Sequence, residues 1–106
     1  MKAAFASKAR QSLQRDYQDA MREYVKKSDE CYLELAYELG RRALEQGLGV
    51  MEIAALYNEA LSTFVQNAQT PAECSHLAKT LAHFFVESLS PFEMTHRGFR
   101  DGRERL

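Results

Sequence analysis

Only two prolines and five glycines punctuate a chain of 106 residues, and they fall where helices would begin, end or bend. β-Branched residues are sparse as well, and between the punctuation marks the apolar residues recur at intervals of three and four. That period places side chains on one face of an α-helix and cannot keep one face of a strand apolar. The chain is therefore expected to be all-α.

Four helices follow from the spacing. The first runs from about Ala3 to Lys27, with Phe5, Ala9, Leu13, Tyr17, Met21 and Tyr24 as its apolar stripe. Ser28 and Asp29 mark a break, because the Asp29 carboxylate can cap the amides of a helix starting at Glu30; one long bent helix through this point is the alternative. The second helix turns Tyr32, Leu35, Ala36, Leu39, Ala43 and Leu44 inward and ends near Gln46, where Gly47 can take the left-handed conformation. Gly47-Leu48-Gly49 is then a short connection, which makes the second and third helices antiparallel neighbours. The third helix spans about Val50 to Asn67 and buries Val50, Ile53, Ala54, Tyr57, Leu61 and Phe64. In Thr70-Pro71-Ala72-Glu73 the threonine caps, the proline takes the first helical position, and Glu73 reaches back to the cap amide. The fourth helix follows, from Pro71 to about Ser90 with a helical extension beyond, and its seam is Cys74, Ala78, Leu81, Phe85, Ser88 or Leu89, Phe92, His96, Phe99, Arg103 and Leu106. Pro91 is expected to kink it, or to start a helical extension capped by Ser90. The result is one domain over residues 1–106, a mainly antiparallel four-helix bundle. A chain of this size should expose roughly 6,000 Å² when folded.

Composition excludes several classes of function. No apolar run approaches the length of a membrane span, and no signal peptide opens the chain, so a cytoplasmic location with free thiols at Cys31 and Cys74 is expected. A net charge of −1 offers no bulk attraction to nucleic acid. The charge is unevenly spread: residues 1–28 hold seven lysines and arginines against three acids, whereas residues 29–47 hold five acids against two arginines. These segments are expected to attract one another weakly when packed.

No active site is legible. His76 and His83 lie seven apart with Glu87 four further on, but they form no compact ligand motif, so no metal is expected. Neither cysteine is paired with a histidine in a recognisable nucleophile arrangement, and no glycine loop is built to cradle phosphate, so neither catalysis nor a bound cofactor is expected. What the sequence does carry is interaction surface. The fourth helix is apolar on more than one side, through Leu77, Leu81, Phe84, Phe85, Val86, Leu89, Phe92 and Met94, an arc wider than its neighbours can cover. A two-fold homodimer is the simplest consequence. After Pro91 comes a dense mixed-charge segment, and Phe92, Glu93, His96, Arg97, Phe99 and Arg100 are the candidate docking or interface residues.

Three blocks carry a family resemblance: Tyr37-Glu38-Leu39-Gly40-Arg41-Arg42-Ala43-Leu44, Gly47-Leu48-Gly49-Val50-Met51-Glu52-Ile53-Ala54, and Glu87-Ser88-Leu89-Ser90-Pro91-Phe92-Glu93-Met94-Thr95-His96-Arg97-Gly98-Phe99-Arg100. Over about residues 10–100 the chain resembles the N-terminal domain of RsbU-type phosphoserine phosphatases of bacteria. The resemblance implies a dimeric four-helix bundle, similar in architecture to the C-terminal domain of the clock protein KaiA. It also implies a docking platform on which a kinase-like switch protein acts to control a separate, metal-dependent phosphatase domain. The final residues Arg103-Glu104-Arg105-Leu106 are still in helical pattern, so this domain is expected to be the front part of a longer signalling protein. The competing reading is a helical bundle that senses a small molecule.

Overall fold

The computed structural model describes the backbone of residues 2–105 and the side-chain surroundings of residues 8–95. Among these residues there are four α-helices and no strand: α1 (Lys2–Lys27), α2 (Cys31–Glu45), α3 (Val50–Asn67) and α4 (Pro71–Arg105). The breaks between them have local causes. Ser28 adopts a left-handed backbone with φ 52°, which stops α1, and the Cys31 amide donates to Asp29 Oδ1 at 3.0 Å, which opens α2. Asp29 therefore caps, and a single bent helix does not form. At the other end of α2, Gly47 has φ 81°. There the Leu48 amide donates to the Ala43 carbonyl and the Gly47 amide to the Leu44 carbonyl, both at 2.9 Å. This is the paired closure of a Schellman motif. At the start of α4 the Glu73 amide donates to Thr70 Oγ1 at 3.1 Å. The Glu73 carboxylate reaches back one residue further than expected, to the Gln69 amide at 2.8 Å. A cap of this kind is worth about 0.5–2 kcal/mol.

The core draws on all four helices: Leu13, Tyr17, Ala20, Met21 and Tyr24 of α1, Ala36, Leu39 and Ala43 of α2, Ile53, Leu56 and Ala60 of α3, and Leu81, Phe84 and Phe92 of α4. The α1 face is the expected one, although the side chain of Phe5 lies outside the described residues. Elsewhere the faces are rotated. Leu35 is exposed, and Val50 is half exposed, so neither is core. In α3 the buried row is Ile53, Leu56 and Ala60, with Ala54, Tyr57 and Leu61 at its border. In α4, Phe84 takes the central place expected of Phe85, Ala78 is exposed, and of the pair Ser88 and Leu89 it is Ser88 that is fully buried. The reason is aromatic packing: Phe84 meets Tyr17 edge-on at 5.1 Å and lies 6.1 Å from Tyr24. That contact turns Phe85 sideways, where it stacks on Tyr57 of α3 at 4.3 Å.

The largest helix pairing is α2 with α4, and a glycine makes it possible. A Cβ placed on Gly40 would run into the Ser88 carbonyl oxygen and stand 3.2 Å from Pro91 Cγ. The two backbones therefore approach more closely there than any side chain permits. Pro91, buried at this crossing, does not end α4. It deletes one amide, while hydroxyls on either side bond back along the helix, Ser90 to the Val86 carbonyl at 3.3 Å and Thr95 to the Pro91 carbonyl at 2.9 Å. Ser90 is thus not a cap, and the helix after the proline is a direct continuation.

Among the described residues, Ser88 is the one polar residue classed as buried in the core. Its hydroxyl donates to the Phe85 carbonyl at 2.7 Å. Its single proton is thereby used, so the Tyr17 hydroxyl is the donor in the 2.8 Å bond between them. The two substitutions at this bond should differ in cost. Ser88→Ala strands the buried tyrosine hydroxyl and should cost about 1–3 kcal/mol, whereas Tyr17→Phe leaves Ser88 satisfied and should cost about 0.5–1.5 kcal/mol. Urea denaturation reads both, and the reverse order would refute the donor assignment. Burial also pushes the Tyr17 hydroxyl well above its ordinary pKa, with the Ser88 bond opposing the shift and Tyr57 adding to it. A raised folded-state pKa gives stability that is complete below about pH 10 and is lost as the pH rises beyond it. Tyr17→Phe should remove part of that alkaline loss.

Candidate docking surface

The candidate residues after Pro91 separate into distinct environments. Phe92 is 8% exposed and belongs to the core. Glu93 is exposed. His96, Arg97, Phe99 and Arg100 lie on the helical backbone of α4, and their side chains fall outside the described residues. Only part of the mixed-charge segment is therefore surface: Phe92 anchors it, and Glu93 stands at its edge.

Beside this segment lies a feature that periodicity did not reveal. A groove of about 770 Å³ runs between the α2–α3 connection and the middle of α4. Leu44, Leu48, Gly49 and Val50 form one wall, Val86, Leu89 and Ser90 the other, with Phe92, Glu93 and Thr95 at one end. All three sequence blocks that carry the family resemblance meet here. Leu44 closes the first block, Leu48 to Val50 belong to the second, and Leu89 to Thr95 belong to the third. The first and third also meet at the Gly40–Ser88 crossing. Blocks far apart in the chain are joined because the Schellman turn folds Leu48 back against the end of α2, next to the α4 segment that Gly40 admits. Two of the exposed large hydrophobic side chains, Val50 and Val86, line it. The apolar breadth of α4 pointed in this direction, but Val50 was assigned to the core.

Two further depressions differ in chemistry. One, toward the start of α2, combines Glu30, Glu34, Glu38 and Glu87 with Leu33 and Leu35. The other lies on the opposite side of the Pro91 crossing, where the Tyr37 hydroxyl donates to Met94 Sδ at 3.5 Å. The expected attraction between basic α1 and acidic α2 takes an inverted form. The ion pair joining them uses the minority charge of each: Arg42 of α2 contacts Asp16 of α1 at 2.6 Å and Ser12 at 3.2 Å. Partly exposed, it is worth about 0.2–1 kcal/mol.

Among the described residues no group of histidine, cysteine and carboxylate side chains is arranged to hold a metal. Cys31 is exposed, and local desolvation, with Asp29 next, raises its thiol pKa, which keeps it protonated at neutral pH. No described helix is long and apolar enough to cross a membrane.

Four helices, an aromatic core and surface grooves define a small all-helical domain. More particularly, the chain belongs to the family of the N-terminal domain of the phosphoserine phosphatase RsbU, whose model matches residues 15–95. The match takes in all of the first two blocks and the third as far as Thr95, leaving His96 to Arg100 outside it. That family is by description the N-terminal domain of the phosphatase, separate from its catalytic domain. Comparison with curated proteins and with solved structures yields no match.

Proposed function

We propose that this chain is a non-catalytic cytoplasmic signalling domain, an antiparallel bundle that forms a homodimer and docks a regulatory protein of the switch-kinase type. Docking controls an attached or partner phosphatase or kinase. The observation that carries the reading is family membership over residues 15–95, with the three characteristic blocks converging on one apolar groove. A domain of this kind needs no reacting constellation of its own. It needs a rigid scaffold, which the Gly40 crossing and the aromatic core supply, and a surface on which a partner changes the arrangement of what is attached.

The docking residues are the exposed Glu93 and the polar and basic positions that follow it in sequence, His96, Arg97 and Arg100, with Phe92 fixing the start of the segment from beneath. The test is retention of the switch-kinase partner from the source cell, with the domain as bait. Glu93→Arg, and Arg97→Glu combined with Arg100→Glu, should lower retention at least tenfold while far-ultraviolet circular dichroism stays that of the parent. Full retention by folded variants would refute the assignment of this segment.

One observation favours a second reading. The groove volume falls within the range of small-molecule sites, about 300–1,000 Å³. A sensing bundle would carry a stoichiometric ligand through purification, which native mass spectrometry detects; docking requires none.

A further inference from the structure

The methionines of the chain stand in unlike surroundings. Met21 is fully buried in the core, Met51 is 83% exposed and Met94 is 60% exposed, while Met1 lies outside the described residues. A small oxidant in water therefore reaches the sulfurs of Met51 and Met94 and not that of Met21. Among the described residues, only Met94 has a hydrogen-bond donor on its sulfur: the Tyr37 hydroxyl donates to Sδ at 3.5 Å. This bond joins α2 to α4 across the Pro91 crossing.

The pairing suits an oxidised sulfur better than a reduced one. A thioether is a weak acceptor, so a phenol aimed at it gains little. A sulfoxide oxygen is a strong acceptor, and Met sulfoxide is polar and chiral where methionine is neither at sulfur. Tyr37, Pro91 and Met94 share an open depression of about 370 Å³, so an added oxygen atom meets space and not packed core. Sulfur also carries two lone pairs. Tyr37 engages one of them, which leaves the other to attack an oxidant.

We infer that Met94 is a site of reversible, stereoselective oxidation, at which a hydroperoxide converts the thioether to one sulfoxide epimer under the direction of Tyr37. The free lone pair of Sδ attacks one peroxide oxygen. The S–O bond forms as the O–O bond breaks, and the proton on the transferred oxygen passes to the departing one. Sulfur is oxidised, and hydrogen peroxide is reduced to water. Sulfoxide reductases reverse the change, one enzyme for each epimer. The product sets a strong dipole between α2 and α4, next to the exposed Glu93. Tyr37 is a positioning residue in this step, and no partner protein is needed for it.

Oxidation of the full chain with hydrogen peroxide, followed by digestion with the two epimer-specific reductases and peptide mass mapping, tests this. Mapping separates Met94 from Met51 and from the free thiols of Cys31 and Cys74. In the native parent, one reductase should restore about five times as much Met94 as the other, because each acts on a single epimer. Parent oxidised in urea should give the two epimers in nearly equal amounts. Tyr37→Phe keeps the ring and removes the donor. With unchanged far-ultraviolet circular dichroism, it too should give nearly equal epimers at Met94. If that variant does not fold, the native and urea-treated parent still decide the matter. Equal epimers in the native parent would overturn the inference, as would a Met94 that stays reduced while Met51 is converted. An undiminished excess in folded Tyr37→Phe would overturn the part given to Tyr37.

Discussion

Gly40→Ala is expected to lower the stability of the domain by about 2 kcal/mol, the scale of overpacking a tight core. For a domain of this length that is a fall in melting temperature of roughly 8–16 °C. The direction is diagnostic. At an unconstrained helical position, glycine to alanine raises stability by about 0.8–1 kcal/mol, because alanine loses less backbone entropy on folding. Here the added methyl meets the Ser88 carbonyl oxygen, a backbone atom, and stands 3.2 Å from the Pro91 ring. Neither neighbour is a flexible chain end, so the clash is relieved only by moving α2 away from α4 along their shared length. Differential scanning calorimetry reads the sign directly. A rise in melting temperature would mean that the two helices do not touch at this point.

Phe84→Ala should be costlier still, at about 3–5 kcal/mol. Phe84 is fully buried, and it links α4 to α1 through Tyr17 and Tyr24. Truncation removes both ring contacts and leaves a cavity beside the Tyr17–Ser88 hydrogen bond, which then has no packing to hold its geometry. Against the roughly 5–15 kcal/mol that hold an ordinary domain, the loss should leave the variant partly unfolded at physiological temperature. Phe84→Leu keeps most of the apolar volume and should cost much less. Guanidinium denaturation distinguishes them; a loss below about 1 kcal/mol for the alanine variant would remove Phe84 from the centre of the core.

Much of the architecture was legible along the chain because its causes are local. Asp29 caps the second helix and Gly47 closes it, and the Thr70-Pro71-Ala72-Glu73 start forms through contacts spanning three or four residues. The family resemblance was legible for the same reason, since residue types in order are enough. Helix faces were read less well. Periodicity defines a stripe about a third of the circumference wide, and a helix with apolar residues at adjacent positions, such as Leu56 and Tyr57 or Phe84 and Phe85, can turn either one inward. The choice fell to Tyr17, which receives Phe84 edge-on.

The candidate site divides along the same line. Sequence alone determined that this is a helical chain of the RsbU N-terminal type with its most distinctive residues around Pro91, because those properties belong to residue order and short-range hydrogen bonding. Tertiary structure decided that Phe92 is core while Glu93 is surface, that Gly40 is a contact point, and that Val50 and Val86 share an open groove. These are distances between residues some 35 to 50 positions apart. They depend on how closely two helices approach, and at Gly40 that approach is governed by the absence of a single methyl group.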